Sequence, residues 1–482
     1  MRWHYIRSIV GMILCLFSIT MIPPIIVSLV FHEMVFMPFF YTFFICYVLG
    51  YILWSSSPAT QYALRNVEGI MIVVLAWVSL CAVSALPFVF GALDVPIIDA
   101  LFEAVSGLTT TGTEILGSVE VLPKAVLYYH QQLEFVGGMG IIVLATSILP
   151  LLGVSGMEIY QAEIGGPVKD DKLLPRISDN AILLWGLYLG LLLCCVLGYH
   201  IGGLTWFDAL CEAYGTISTG GFSIHDNSFA FYNSRFIEGV CMLFMLLGGL
   251  NFSLHFMAIF RRSFRGYIEN MESKYYLSAI GVMGLIVLLT LYGFDQVHDI
   301  AATVSTVAFT TISMMTTTGF TTSNFAAWPG CLPILLMLLA LVGGCAGSTT
   351  GGIKVLRLLL LYREGRAEFK RICHPRAVCS VHAAGDNIPQ SLIESIRGFI
   401  AVFLLLYIFL LLLVMNTGLS FYDAFAAVTA CLSNAGASIG GVQSGFAHVS
   451  FSTKFILIVT MLAGRLEVMT LIILCTPTYW RV

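Results

Sequence analysis

Asp99-Ala-Leu-Phe-Glu-Ala-Val-Ser-Gly-Leu-Thr109-Thr110-Thr111-Gly112 is one of four related stretches, and their recurrence decides the fold. The second reads Asp208-Ala-Leu-Cys-Glu-Ala-Tyr-Gly-Thr-Ile-Ser218-Thr219-Gly220-Gly221. The fourth reads Asp423-Ala-Phe-Ala-Ala-Val-Thr-Ala-Cys-Leu-Ser433-Asn434-Ala435-Gly436. In each of these the glycine lies thirteen residues after the aspartate. The third copy keeps the ending Thr316-Thr317-Thr318-Gly319-Phe320, but Thr306 stands where the acid is expected. Three equal offsets in so apolar a chain mark a repeat.

Each stretch offers about ten residues of helix, against the roughly 20 needed to cross a bilayer. The spacing predicts a short helix capped by its aspartate, whose carboxylate suits free N–H groups and the positive dipole end. The chain then returns as extended backbone through Thr or Ser and Gly. Non-helical backbone at membrane depth is tolerated only where it is buried in protein or lines a wet cavity. Four such re-entrant hairpins can surround one axis, with glycine letting successive carbonyls point one way. Rings of carbonyls that replace a hydration shell select potassium, and helix C-termini aimed at the axis favour cations.

The surrounding chain is built for lipid. Of 482 residues, 58% are hydrophobic and 10% charged, and mean hydropathy is +0.92. Soluble domains carry roughly 25% charged residues, so this composition predicts an all-α polytopic membrane protein. A net charge of −4 without a long basic block excludes nucleic-acid binding. The 13 cysteines lie mostly in apolar runs, with no C-x-x-C and no zinc spacing. They are small hydrophobic residues.

Apolar runs predict ten crossings, near 9–30, 37–54, 69–91, 125–150, 181–202, 235–260, 275–294, 331–360, 394–416 and 453–476. An even number puts both termini on one side. Arg2, Arg7, Arg65, Lys169, Lys172, Arg176, Arg261, Arg262, Arg265, Lys274, Arg363, Arg366, Lys370, Arg371, Arg376 and Arg397 fall on that side, against Lys124, Arg235 and Lys454 on the other. The basic side is cytoplasmic by the positive-inside rule. The organisation expected is an N-terminal helical hairpin over 1–60 followed by four span–pore loop–span repeats. These cover 61–165, 166–262, 263–372 (with a broken last helix and gating loop) and 373–482.

The four loops, together with Gly137-Gly138-Met139-Gly140, Gly343-Gly344-Cys345-Ala346-Gly347-Ser348, Ala162-Glu163-Ile164, Gly166-Pro167-Val168-Lys169-Asp170 and Gly464-Arg465-Leu466-Glu467, closely resemble the Trk/Ktr/HKT superfamily of potassium transporters, in its TrkH-type pore subunits. The resemblance covers nearly the whole chain. It implies potassium uptake across a bacterial inner membrane through one pore made of four pseudo-equivalent units. It also implies a homodimer, a cytosolic TrkA-type nucleotide-binding regulatory subunit, membrane lipid around the spans, and no cofactor besides the transported K+. The filter glycines carried over are Gly112, Gly221, Gly319 and Gly436, with carbonyls from Thr110, Thr111, Thr219, Gly220, Thr317, Thr318, Asn434 and Ala435. The second and fourth loops lack the full Thr triplet, so sharper selectivity is expected of a filter made from four identical loops.

Below the filter, Gly343, Gly344, Gly347, Gly351 and Gly352 break the eighth span, since each glycine costs a helix about 1 kcal/mol relative to alanine. The expectation is a flexible loop that obstructs the pore. A nucleotide-binding P-loop is excluded because Lys354 comes one residue late, Val355 follows it, and no strand precedes. Arg465 falls mid-span, where cations are rare and usually face a cavity or partner. It is expected to face the pore as an electrostatic barrier. Lys354 is counted with the gate, while Lys354 and Arg357 also have the option of snorkelling to the cytoplasmic interface.

No H-E-x-x-H or G-x-S-x-G occurs, and the ten histidines are scattered, so an enzyme is not expected. His200 and His255 read as satisfied or interfacial. The rival is a proton- or sodium-coupled potassium symporter, whose intramembrane acids would be Glu134 and Glu467.

Overall fold

Proline and glycine punctuate this chain. Pro96, Pro123 and Pro389 each stand just before a helix, and Pro333 lies in the first turn of another, where the missing N–H costs nothing. The computed structural model describes residues 2–55, 65–93, 95–143, 177–260, 262–297, 299–374, 382–383 and 386–481. The motifs around Ala162–Asp170 and the basic residues Lys169, Lys172, Arg176, Arg261 and Arg376 lie outside the described residues.

The N-terminal hairpin is one span, α1 (Trp3–Ser18) and α2 (Ile22–Val30) joined by a short 3₁₀ turn, packed against α3 (Phe36–Ser55). Gly11 and Gly50 let α1 and α3 approach backbone to backbone. Then follow α4 (Asn66–Ser84), α5 (Ile97–Leu108), α6 (Lys124–Val143), α7 (Ile177–Ile201), α8 (Trp206–Ser218), α9 (Arg235–Gly249) and α10 (Phe252–Phe260). The rest comprises α11 (Met271–Gly293), α12 (Ile300–Met315), α13 (Leu332–Val342), α14 (Val355–Cys373), α15 (Gln390–Asn416), α16 (Phe421–Leu432), α17 (Phe451–Arg465) and α18 (Val468–Leu474). Among the described residues the β structure is a two-residue ladder, His382–Ala383 with Asp386–Asn387.

The chain is an all-α polytopic membrane protein. Six described helices are long and apolar enough to cross a bilayer, or eight if two bent pairs each count as one span. The two other expected crossings differ for physical reasons. α6 carries His130, Gln131, Gln132 and Glu134, and α13 is separated from α14 by the glycine-rich segment 343–354. The continuous spans expected over 235–260 and 453–476 are also corrected. α9 meets α10 at 101°, and α17 meets α18 at 111°. The backbone turns at Leu250-Asn251 and at Leu466-Glu467, the latter with Glu467 at φ 60°.

The four short helices α5, α8, α12 and α16 each pack against a helix of their own unit and one of the unit before. α5 packs on α6 and α17, α8 on α9 and α6, α12 on α13 and α9, and α16 on α17 and α13. Every short helix therefore touches the helix that follows it and the corresponding helix of the preceding unit, and the series closes because α17 returns to α5. The two chain ends meet on α4: the Arg2 side chain pairs with Glu68 at 2.5 Å, and Tyr479 Oη donates to Val67 O at 2.6 Å.

Candidate functional site

The four short helices end in one backbone pattern. Thr110, Thr219, Thr317 and Asn434 all sit in the left-handed region, at φ 51°, 52°, 53° and 52°. The next residue folds back in each case. Thr111 N–H donates to Ser106 O at 2.8 Å, Gly220 to Gly215 O at 2.9 Å, Thr318 to Ser313 O at 2.9 Å, and Ala435 to Ala430 O at 2.9 Å. These are Schellman C-caps without glycine at the left-handed position. Thr and Asn there carry a strain of roughly 1–2 kcal/mol each, which the surrounding packing holds.

The aspartates are not the N-caps expected of them. Asp208 and Asp423 lie in the first turn, and their own N–H groups donate to the capping hydroxyls of Thr205 and Ser420 at 3.2 Å. Asp99 also lies in the first turn and pairs with Lys454 Nζ at 2.7 Å. The third helix has no acid at Thr306 because it starts earlier. Its true cap is Asp299, which accepts from Ala301 N–H at 2.9 Å. A first-turn carboxylate still suits the positive end of the helix.

The glycines that follow form a ring. A β-carbon on Gly112 would collide with Gly220 O, on Gly221 with Thr318 O, on Gly319 with Ala435 O, and on Gly436 with Thr111 O. Each glycine thus rests against the carbonyl that precedes the glycine of the next loop, in the order one, two, three, four, one. All four have positive φ, between 67° and 97°. The twelve residues singled out from the sequence are therefore brought together. Beyond the ring opens a cavity of about 640 Å³ that all four glycines line, with Glu114, Asp226, Asn324 and Gln443 among its polar walls.

On the opposite face of the ring lies the segment 343–354, held by polar contacts to the caps of the second and third short helices and packed closely on the fourth. Thr349 Oγ1 meets Thr219 Oγ1 at 3.0 Å and donates to Gly248 O at 3.2 Å. Gly351 N–H donates to Thr317 Oγ1 at 2.8 Å, and Gly351 has no room for a side chain against Ser433 O. Cys345 N–H donates to Gly249 O, and Ala346 N–H to Glu272 Oε1 at 2.6 Å. Gly343, Gly347 and Gly352 take positive φ, of 75°, 72° and 77°, while Gly344 packs on Gly249 O.

Arg465 is 2% exposed at the end of α17 and reaches this segment directly. Its Nη1 donates to Thr349 O at 2.9 Å and its Nη2 to Gly137 O at 3.2 Å. Lys354 and Arg357 do not snorkel. Lys354 Nζ curls onto Thr350 O and Oγ1. Arg357 pairs with both oxygens of Glu467, at 2.9 and 3.0 Å, and lies 4.0 Å over the Phe399 ring. Sequence order concealed that pairing, since the partners are 110 residues apart. His255 is satisfied by Tyr267 Oη and Leu247 O, and His200 by Leu204 O.

Behind the first two loops stands a buried polar layer that sequence reasoning left unplaced. Glu103 Oε2 accepts from Ile115 N–H at 2.9 Å, Glu212 Oε1 from Ile224 N–H at 3.2 Å, and Glu134 Oε1 from Phe222 N–H at 3.0 Å. His130 Nε2 faces Glu103 Oε1. The equal twelve-residue step from Glu103 to Ile115 and from Glu212 to Ile224 was the available signal.

Comparison with known proteins agrees with this geometry. Residues 35–481 match the family model described as TrkH, cation transport protein. The Trk system potassium uptake protein TrkH of Salmonella typhimurium is 43% identical over the full length of both chains. The Trk system potassium uptake protein TrkG of Escherichia coli is 36% identical over 98% of this chain and 97% of its own. The crystal structure of the potassium transporter TrkH from Vibrio parahaemolyticus superposes with a TM-score of 0.92 at 38% identity, covering all of both chains.

Proposed function

We propose that this chain, which belongs to the TrkH family of cation transport proteins, takes up potassium across the inner membrane through the ring of four loops. A transporter of this family is not an enzyme, and K+ is its cargo. The observation that carries the reading is the closed sequence of contacts from Gly112 through Gly221 and Gly319 to Gly436 and back. It sets carbonyls from four directions around one axis, the arrangement that can replace a hydration shell. Thr110, Thr111, Thr219, Gly220, Thr317, Thr318, Asn434 and Ala435 supply those carbonyls. Four helix C-termini around the ring add their negative dipole ends, and Glu114 and Asp226 in the outer cavity favour cations at its mouth.

Ten crossings and four re-entrant helices are the reading that best fits this ring, with α6, α9–α10, α13–α14 and α17–α18 as the second span of each repeat. The repeats run over 61–165, 166–262, 263–372 and 373–482 after the hairpin 1–60. The basic side carries both termini, consistent with Arg2 and Tyr479 meeting on α4, and faces the cytoplasm. The loop 343–352 is the gate, with Lys354 beside it and Arg465 holding it under the ring. A cytosolic nucleotide-binding subunit of the TrkA type acts on it through the basic connections, and the pore works as a homodimer in lipid.

The decisive test is potassium uptake by a potassium-transport-deficient bacterium expressing the wild type, Gly112→Ser or Gly319→Ser. Wild type is expected to restore growth at low potassium, and both variants to lose it at equal membrane abundance. Uptake that survives both substitutions overturns the filter.

A further inference from the structure

Among the differences between the second loop and the first, those at Gly215, Gly220 and Phe222 meet at one side chain, Glu134. In the first loop the N–H after the ring glycine, that of Thr113, donates to Ser106 Oγ at 2.8 Å, and Ser106 Oγ donates to Thr113 O at 2.8 Å. The third loop repeats the second of these bonds, from Ser313 Oγ to Phe320 O at 2.8 Å. Ser106 and Ser313 both stand six residues before the ring glycine. At that place the second loop has Gly215, so its backbone lacks the serine brace.

Glu134 fills the vacancy from a neighbouring helix. It is fully buried on α6, and its Oε1 accepts the N–H of Phe222, the residue equivalent to Thr113, at 3.0 Å. The carboxylate also occupies the space that a side chain at 215 or 220 would need. A β-carbon on Gly215 would lie 2.9 Å from Phe222 O and 3.1 Å from both Gln131 Oε1 and Glu134 Oε2, and one on Gly220 would overlap the Glu134 carboxyl group itself. Gly220 stands where the other loops have Thr111, Thr318 and Ala435. Glu134, Gly215 and Gly220 are therefore one linked set.

The helices carry the complementary half of the pattern. Gly137 on α6, Gly248 on α9 and Gly464 on α17 pack against the last carbonyls of α5, α8 and α16, those of Leu108, Ile217 and Leu432. Three residues before these glycines come Glu134, Met245 and Met461. Met461 Sδ lies 3.6 Å from Thr113 Oγ1, so the first loop pairs an internal serine with a neighbouring methionine. The second pairs an internal glycine with a neighbouring glutamate.

We propose that Glu134 is a positioning residue of the cation filter, holding the second loop in register through Phe222 N–H in place of the serine that braces the first loop. This rests on the reading of the ring as the filter. It makes Glu134 a determinant of K+ over Na+ discrimination, because a carbonyl cage that loses one fixed wall adapts to a smaller ion.

The test uses the full-length protein in liposomes, reading the K+/Na+ permeability ratio from reversal potentials. Glu134→Met keeps the volume and copies the helix partner of the first loop, so it is expected to fold. It should lower the ratio by about ten-fold, since a buried N–H without an acceptor leaves its place. Glu134→Gln, whose amide oxygen still accepts, should stay within about two-fold of wild type. Glu134→Met with Gly215→Ser rebuilds the serine–methionine arrangement and should restore most of the ratio. A purely structural role would lower protein abundance in Glu134→Met and leave the ratio of the remaining protein unchanged, and that result overturns the proposal. Failure of Gly215→Ser to restore a ratio lost in Glu134→Met also overturns it. Gly112→Ser is run beside them: if it destroys selectivity while Glu134→Met does not, the positioning role falls and the filter stands. If neither changes the ratio, the filter reading itself falls.

Discussion

The ring of loops and the layer just below it are made by the same four repeats, yet they obey opposite rules. At the ring, four different sequences converge on one geometry: the same left-handed residue, the same fold-back bond and the same glycine against the next carbonyl. Below it, four equivalent helices diverge. α6 runs on through Gly137-Gly138, α9 bends by 101° into α10, α13 gives way to a twelve-residue segment, and α17 ends in Arg465 before bending by 111°. A dehydrated ion needs ligands from all sides at once, so every loop must comply. On the proposed reading a passage can be closed from one side, so one repeat is free to become the obstruction and another to hold it.

This contrast predicts its own largest effect. Serine at Gly112, Gly221, Gly319 or Gly436 should reduce potassium uptake on the order of a hundredfold, because the new side chain meets both a carbonyl and a left-handed backbone. The four losses should be equal within measurement error. A variant that keeps substantial uptake would show that its loop is not part of the ring's working surface, and the symmetry argument would fail at that loop.

The two layers also differ in how much of each was legible beforehand. The ring was readable because its signal is local: a small polar run closed by glycine, at a fixed distance from an aspartate. The segment 343–354 was readable from glycine density alone. The bends at Leu250 and Leu466 were not, since apolar runs flank Gly248-Gly249-Leu250-Asn251 and Gly464-Arg465-Leu466-Glu467 on both sides and helix periodicity carries no record of a right-angle turn. Thr205 and Ser420 as the true caps lie three residues before the expected ones, a distance at which capping patterns overlap, whereas Asp299 lies seven before Thr306 because the third helix is longer. Arg357 with Glu467, and Glu134 with Phe222, are contacts between distant parts of the chain, fixed only once the repeats close on one another.

The middle-sized effect belongs to Arg465. Its guanidinium ties Thr349 O of the segment to Gly137 O of α6 and places a fixed cation beside the path. Arg465→Ala removes both the tether and the charge, and is expected to raise potassium conductance about ten-fold, the low end of a single charge-assisted bond. Arg465→Lys keeps the charge but cannot span both carbonyls, so its increase should be smaller. Conductance of the two variants, normalised to membrane abundance, checks this. A drop in Arg465→Ala would assign the residue to holding the ring open instead of closing the layer beneath it.

The smallest effect marks where the divergent layer stops mattering for flux. Arg357 in the first turn of α14 pairs with Glu467 at the bend between α17 and α18, with bonds of 2.9 and 3.0 Å, while the guanidinium covers Phe399. Neither side chain contacts a ring residue or the segment 343–352, and both retain some exposure, 13% and 20%. The pair should therefore contribute to stability alone, by roughly 1–2 kcal/mol. Arg357→Ala leaves Glu467 without its partner and is expected to lower the thermal unfolding midpoint in detergent by about 3 °C. Flux per molecule should stay within about two-fold of wild type, well short of the Arg465→Ala change. Glu467→Ala should reproduce the same midpoint shift, because it removes the other half of one bond pair. If either variant instead raised conductance as Arg465→Ala does, the lower helices would belong to the obstruction, and the boundary between holding the gate and holding the fold would move one helical turn toward the cytoplasm.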